Sequence, residues 1–221
     1  MIDFAAARRM MVDGQVRTAD VTDLRLQAAM FELPRETFLP RDKAALAYLD
    51  LDVPVTPAGD KGRRLLKPMV LAKLLQAAEI GGDDHVLDVG CATGYSSALL
   101  GRLAHSVVAL EQDRSLADIA QQNLQALGAG NVTVVSGALT EGWPAGAPYD
   151  VILLNGASEV PPEMLFRQLK DGGRLVGVLG RSPAAKAMLY RSVAGDVSGR
   201  PIFDAAAPVL PGFVAPPAFV F

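Results

Sequence analysis

Two features of this chain could do chemistry together: the run Asp88-Val89-Gly90-Cys91-Ala92-Thr93-Gly94, and Glu111, 23 residues beyond Asp88. Glycines at 90 and 94 permit a tight turn and a close approach of backbone to a ligand. A helix opening at Gly94 leaves free N–H groups in its first turn. Such groups suit a carboxylate, and the amino-acid end of S-adenosylmethionine (SAM) carries one. A carboxylate at the end of the following strand can accept two hydrogen bonds from ribose hydroxyls. The glycine spacing is G-x-x-x-G, whereas a dinucleotide pyrophosphate asks for G-x-G-x-x-G. SAM is therefore the expected cofactor and a nicotinamide dinucleotide the rival. The bland alternative is that the glycines only shape a turn and Glu111 only caps a strand.

The elements that must hold these residues are legible as alternating patterns. Short apolar runs at 85–89, 106–111, 131–136, 150–155 and 174–180 read as strands. Helical spacing appears at 94–104, 114–127 and 162–169, the last closed by Asp171-Gly172-Gly173. This alternation predicts an α/β fold, a Rossmann-like doubly wound and mostly parallel sheet. Ahead of it, residues 1–20 read as an amphipathic helix ending near Gly14, and 22–33 as a helix stopped by Pro34. The stretch between Pro40 and Pro54 reads as mostly irregular and 57–64 as a polar loop. Pro68 opens a helix over 68–80. The whole is expected to be one domain, with a helical cap at 1–67, the Rossmann-like core at 68–200 and a tail at 201–221. The tail, rich in proline and ending Ala218-Phe219-Val220-Phe221, reads as an edge strand or a contact for another subunit.

Composition narrows the classes. The net charge of −3 offers no electrostatic footprint for nucleic acid, so no nucleic-acid partner is expected. No apolar run approaches the length of a bilayer span, and no signal peptide is read, so no membrane partner is expected and the cytoplasm is the expected location. One cysteine and two histidines make a metal site an unsuitable reading. Cys91 reads as packing, because no base stands near it in sequence. His85 and His105 read as structural or exposed, and Trp143 as a core anchor. Tyr95 reads equally as a contact for the methionine end or as packing.

Several longer runs resemble the protein-L-isoaspartate O-methyltransferase family, over about residues 10–180. They are PRETFLP (34–40), PMVLAKLLQAA from Pro68, VLDVGCATGYSSALL (86–100), VVALEQD (107–113), NVTVVSG (131–137) and the stretch from EGWPAGAPYDVILLNG to DGGRLVGVLG (141–180). The resemblance implies a class I SAM-dependent methyltransferase that esterifies the carboxylate of isoaspartyl residues in damaged proteins or peptides. It places Asp88, Gly90, Gly94 and Glu111 at the SAM, flanked by Cys91, Ala92, Tyr95 and Gln112. Gly137, Ala138 and Leu139 would wall the adenine, and Asn155 would lie beside the methyl group.

Two positions depart from the family pattern. The usual Gly-x-Thr-Ile-Ser-x-Pro segment reads Gly62-Arg63-Arg64-Leu65-Leu66-Lys67-Pro68, so Leu66 stands at the acceptor-binding serine. Ala138 stands where the family places an acid against the adenine amine. Arg63, Arg64 and Lys67 read either as replacements for the hydroxyls in binding an anionic acceptor or as solvated loop charges with no such role. The catalytic set is thus Leu66, as the substituted serine, with Arg64 and Lys67. A carboxylate acceptor is already ionised at neutral pH, so the scarcity of histidine fits. The alternatives are the same scaffold acting on an anionic small molecule, and a SAM-binding protein without catalysis.

Overall fold

The computed structural model describes residues 2–56 and 62–216. Most of the expected 57–64 loop and the final Ala218–Phe221 run lie outside the described residues.

Helix α1 (Phe4–Met11) starts where the Asp3 carboxylate accepts the Ala6 N–H. Helical turns then run on past Gly14, as a wide turn over Val12–Val16 and a tight one over Arg17–Ala19, ending at left-handed Asp20. The stop expected near Gly14 does not occur, because burial of Met11, Val12 and Val16 holds the turns on both sides of it. Helix α2 (Leu24–Glu32) is capped by Asp23 and ends at extended Leu33, the residue that Pro34 bars from helix. Two 3₁₀ turns, Arg35–Phe38 and Arg41–Leu46, lead to a two-strand ladder of β1 (Val53–Pro54) and β2 (Arg64–Leu65).

The core follows as α3 (Pro68–Ala77), β3 (His85–Val89), α4 (Tyr95–Leu103), β4 (Ser106–Glu111), α5 (Arg114–Ala126) and β5 (Val132–Ser136). Then come β6 (Tyr149–Ser158), α6 (Glu163–Phe166), β7 (Leu169–Leu179), β8 (Lys186–Val193) and β9 (Asp196–Asp204). The seven-stranded sheet has the order β5-β4-β3-β6-β7-β8-β9. Its first five strands are parallel and the β8–β9 hairpin is antiparallel. This is the mostly parallel α/β sheet that the alternation predicts.

The helix expected over 162–169 shrinks to the four residues of α6. Asp171-Gly172-Gly173 does not close it but sits inside β7, in an irregularity between the Tyr149–Leu169 and Val151–Arg174 pairs. Gly172 has φ 76°, and a Cβ on Gly173 would stand 2.9 Å from the Tyr149 carbonyl, so glycine is what lets the strand bulge there.

Side chains alternate across the sheet and make two cores. Val86, Val151 and Leu153 face the layer of α3, α4, α5 and the N-terminal helices. Leu87, Val89, Ile152 and Leu154 face the other side, where α6 is too short to cover them. The chain after β9 completes that cover. Val209 bridges to Ala157, the Ala157 N–H donates to the Pro208 carbonyl and the Leu210 N–H to the Ala157 carbonyl, and Leu210 and Phe213 are buried in the second core.

Candidate active site

The strand order reverses between β3 and β6. In open α/β sheets the crevice outside the carboxyl ends of such a pair is where ligands bind. The ladders end on Val89–Leu154 and Val89–Leu110, so Gly90 emerges between Asn155 and Glu111. Gly90 and Gly94 have φ of 84° and 98°, a conformation open to glycine at little cost. Gly94 caps α4, and a Cβ there would stand 3.3 Å from that of Ala120.

Asp88 is fully buried, at the foot of the turn. Its Oδ2 accepts from the Ser96 and Ser97 hydroxyls at 2.5 and 2.6 Å, while Oδ1 has no partner. Burial pushes its carboxyl up to about 6, against the pull of the two hydroxyls. The Asn155 amide N–H₂ donates to the Ser96 Oγ at 2.7 Å and the Gly90 carbonyl at 3.2 Å, and its Oδ1 also lacks a partner. Two buried acceptors, on side chains linked through Ser96, are thus unpaired, each at a cost of about 1–3 kcal/mol. Ser96 and Ser97 were missed in the sequence; the signal was a pair of small hydroxyls in the helix turn above the acid.

Glu111 is fully buried and fully engaged. Its Oε1 accepts the N–H groups of Gln112 and Asp113, at 2.9 and 3.2 Å. Its Oε2 accepts the Ala92 N–H at 2.8 Å and the Arg63 guanidinium at 3.1 Å. The same Arg63 nitrogen donates to the Gly90 carbonyl at 2.7 Å, and its Nε is buried without a partner. Arg63 therefore does not join Arg64 and Lys67 in one cluster. Successive side chains of an extended segment point to opposite sides. Arg63 turns inward, whereas Arg64 donates to the Asp52 carbonyl and the Lys67 backbone N–H to the Asp52 carboxylate. Leu66 is buried in the core, and its carbonyl accepts from Arg35 at 2.7 Å.

Cys91 is fully buried, and burial pushes its thiol well above the usual range, so it packs as a neutral group. Tyr95 packs edge-on to Phe38 and beneath the Arg35 guanidinium, away from bulk water. Gln112 and Ala138 are exposed, and Leu139 is buried beside them. A Cβ on Gly137 would touch Leu110 and Trp143, so that turn lies close against β4. His85 stacks on Tyr149 and bonds Ser106 and the Gly146 carbonyl, at the start of β3, the end of the strand away from the Gly90 turn.

A residue with no sequence signal beyond an apolar pair between prolines enters the crevice from the tail. A Cβ on Gly156 would stand 2.7 Å from Leu210, and one on Gly90 would stand 3.1 Å from Leu210 and 2.6 Å from Arg63. The polar groups thus fit the amino-acid and ribose ends of SAM, while the hollow above the two glycines is filled by side chains of this chain.

No helix among the described residues is long and apolar enough to cross a membrane. The sequence model of the protein-L-isoaspartate(D-aspartate) O-methyltransferase family matches residues 7–201. A protein-L-isoaspartate O-methyltransferase of Koribacter versatilis is 39% identical over 202 residues, 91% of this chain and 89% of its own length. One from Rhodopseudomonas palustris strain HaA2 is 37% identical over 203 residues, 91% of this chain and 81% of its own. A solved protein-L-isoaspartate O-methyltransferase superposes with a TM-score of 0.80 at 26% identity, over 93% of this chain and 66% of that one. A β-aspartate methyltransferase from Plasmodium falciparum, solved with S-adenosyl-L-homocysteine, shares the fold at a TM-score of 0.77 and 15% identity, over 95% of this chain and 99% of that one. This chain belongs to the protein-L-isoaspartate(D-aspartate) O-methyltransferase family of SAM-dependent methyltransferases.

Proposed function

We propose that this chain methylates the carboxylate of isoaspartyl residues in proteins or peptides, in the cytoplasm. The observation that carries the reading is the convergence of Asp88, Asn155 and Glu111 on the Gly90 turn, with buried acceptors left unpaired. When bound, SAM supplies a methyl group on a positively charged sulfur. Asp88 and Asn155 receive its amino-acid end, and the unpaired Asp88 oxygen suits a cationic amine. Glu111, with Gln112 beside it, takes the ribose. Gly137, Ala138 and Leu139 face the adenine, and Cys91, Ala92 and Gly94 shape the backbone turn. Tyr95 supports that turn by packing on Phe38 and Arg35.

The acceptor needs no general base, since its carboxylate is ionised at neutral pH. The protein's task is to hold that oxygen in line with the methyl carbon and to keep water away. Leu66, Arg64 and Lys67, where β2 passes into α3, keep their assignment to the acceptor side. Leu66 is buried there and supplies no hydroxyl, so contacts to the acceptor fall to Arg64 and Lys67.

The test is methyl transfer to an isoaspartyl peptide beside its normal aspartyl twin, with calorimetry of S-adenosylhomocysteine on the same preparation. A base-labile methyl ester on the isoaspartyl peptide alone is the expected result. Product binding without ester would move the acceptor to another class. No binding would remove the SAM assignment.

A further inference from the structure

We infer that Leu210 and Arg63 hold the SAM cradle closed in the free protein, and that SAM enters by displacing the strap that carries Leu210. The inference rests on the SAM site proposed above and adds a step that precedes its use.

Three observations carry it. Leu210 is fully buried and touches the crevice floor at both glycines, Gly90 and Gly156, where a close-lying ligand would run. Arg63 occupies the Glu111 oxygen and the Gly90 carbonyl, and meets the same space above Gly90 as Leu210. Near the Gly90 turn the buried Oδ1 atoms of Asp88 and Asn155 have no partner, and neither Leu210 nor Arg63 supplies one. Buried polar atoms without a partner are few in folded proteins, and each asks for an explanation. A ligand ammonium would donate to them, so the closed state is the less satisfied one.

The strap is also fastened in a way that can be undone. It is tied to the end of β6 by the Ala157–Pro208 and Leu210–Ala157 backbone bonds, and farther on by the Glu159 N–H to the Phe213 carbonyl. These are few bonds at the end of a strand, not a ladder through the sheet. A protein whose binding-competent form is a minor population shows an affinity reduced by that fraction. Holding the cradle closed would therefore weaken SAM and slow its entry.

The experiment uses the full chain with S-adenosylhomocysteine as the probe. Calorimetry should show Leu210→Ala binding it at least about tenfold more tightly than the parent, with Arg63→Ala shifted in the same direction. Because either change could harm folding, hydrogen exchange on the unmodified protein supplies a second reading. Addition of the probe should speed exchange of the Leu210 and Phe213 amides, while amides of β3 and β4 stay protected. Equal affinity of parent and Leu210→Ala, together with unchanged or slower exchange in the strap, overturns the inference and leaves the SAM site standing. Absence of binding in the parent and both variants overturns the site itself and the strap with it.

Discussion

Arg63 and Glu111 form a buried ion pair, 3.1 Å apart, in which the arginine holds one oxygen of a carboxylate otherwise satisfied by the backbone N–H groups of Ala92, Gln112 and Asp113. The pair places a positive charge on the carboxylate that the proposed site offers to a ribose. Removing one partner of a buried pair costs more than the pair itself contributes, because the other charge stays behind.

Glu111→Gln tests both roles of that carboxylate. Hydrogen bonds to a charged acceptor are worth about 1.5–3 kcal/mol, so S-adenosylhomocysteine binding should weaken by about tenfold or more. The free protein should lose about 1–3 kcal/mol in urea unfolding, because the amide keeps one acceptor oxygen and turns an N–H₂ toward donors that the carboxylate satisfied. Unchanged affinity in calorimetry would release Glu111 from the ribose.

Asp88 makes stability depend on pH in a stated direction. Its carboxyl is raised by burial from 3.8 to about 6, so the folded state holds a proton that the unfolded state releases. This contribution is fully present below about pH 4 and is lost as pH rises through 6. Above that, the buried charge costs on the order of 3 kcal/mol. Asp88→Asn should therefore unfold at higher urea than the parent at pH 8, and the gain should fade toward pH 4. The same variant should bind S-adenosylhomocysteine more weakly, because the amine loses its anionic partner. In the parent, affinity should drop as pH falls below about 6, where protonation of Asp88 competes.

Arg174 ties the sheet to the segment after α3, and its loss should touch stability alone. It donates to the Ala78 and Glu79 carbonyls and pairs with Asp84 at 2.6 Å. Arg174→Ala should cost about 2–4 kcal/mol in urea unfolding, since the partly buried Asp84 carboxylate then keeps only the Gly81 N–H and two carbonyls lose a donor. Calorimetry with S-adenosylhomocysteine should give the parent affinity.

Cys91 should resist thiol reagents in the native state. It is fully buried, and its thiol is held protonated by desolvation and by the neighbouring Asp88 and Glu111 charges. Labelling should follow global unfolding, and a thiol that reacts at once with a neutral disulfide reagent would show the turn to be open.

Much of this was legible in the residues. Strand and helix patterns from His85 to Ser136 stand within a residue or two of where they were read, because each carries an apolar face of the right period between turn-forming residues. The Gly90–Gly94 turn and Glu111 were legible for a related reason: a left-handed turn and a strand-end carboxylate depend on local geometry. The fate of Asp171-Gly172-Gly173 was not, since a helix stop and a strand bulge ask for the same residues.

Taken alone, the residue order determined the alternation, the turn and the acid that make a SAM fold, for these depend on neighbours along the chain. Only the tertiary structure decided that Arg63 turns inward while Arg64 meets Asp52, and that Leu210, 120 residues beyond Gly90, lies on it. Those contacts join segments with no periodicity in common. They are set by which face of a sheet lacks a helix and by what remaining chain can reach it.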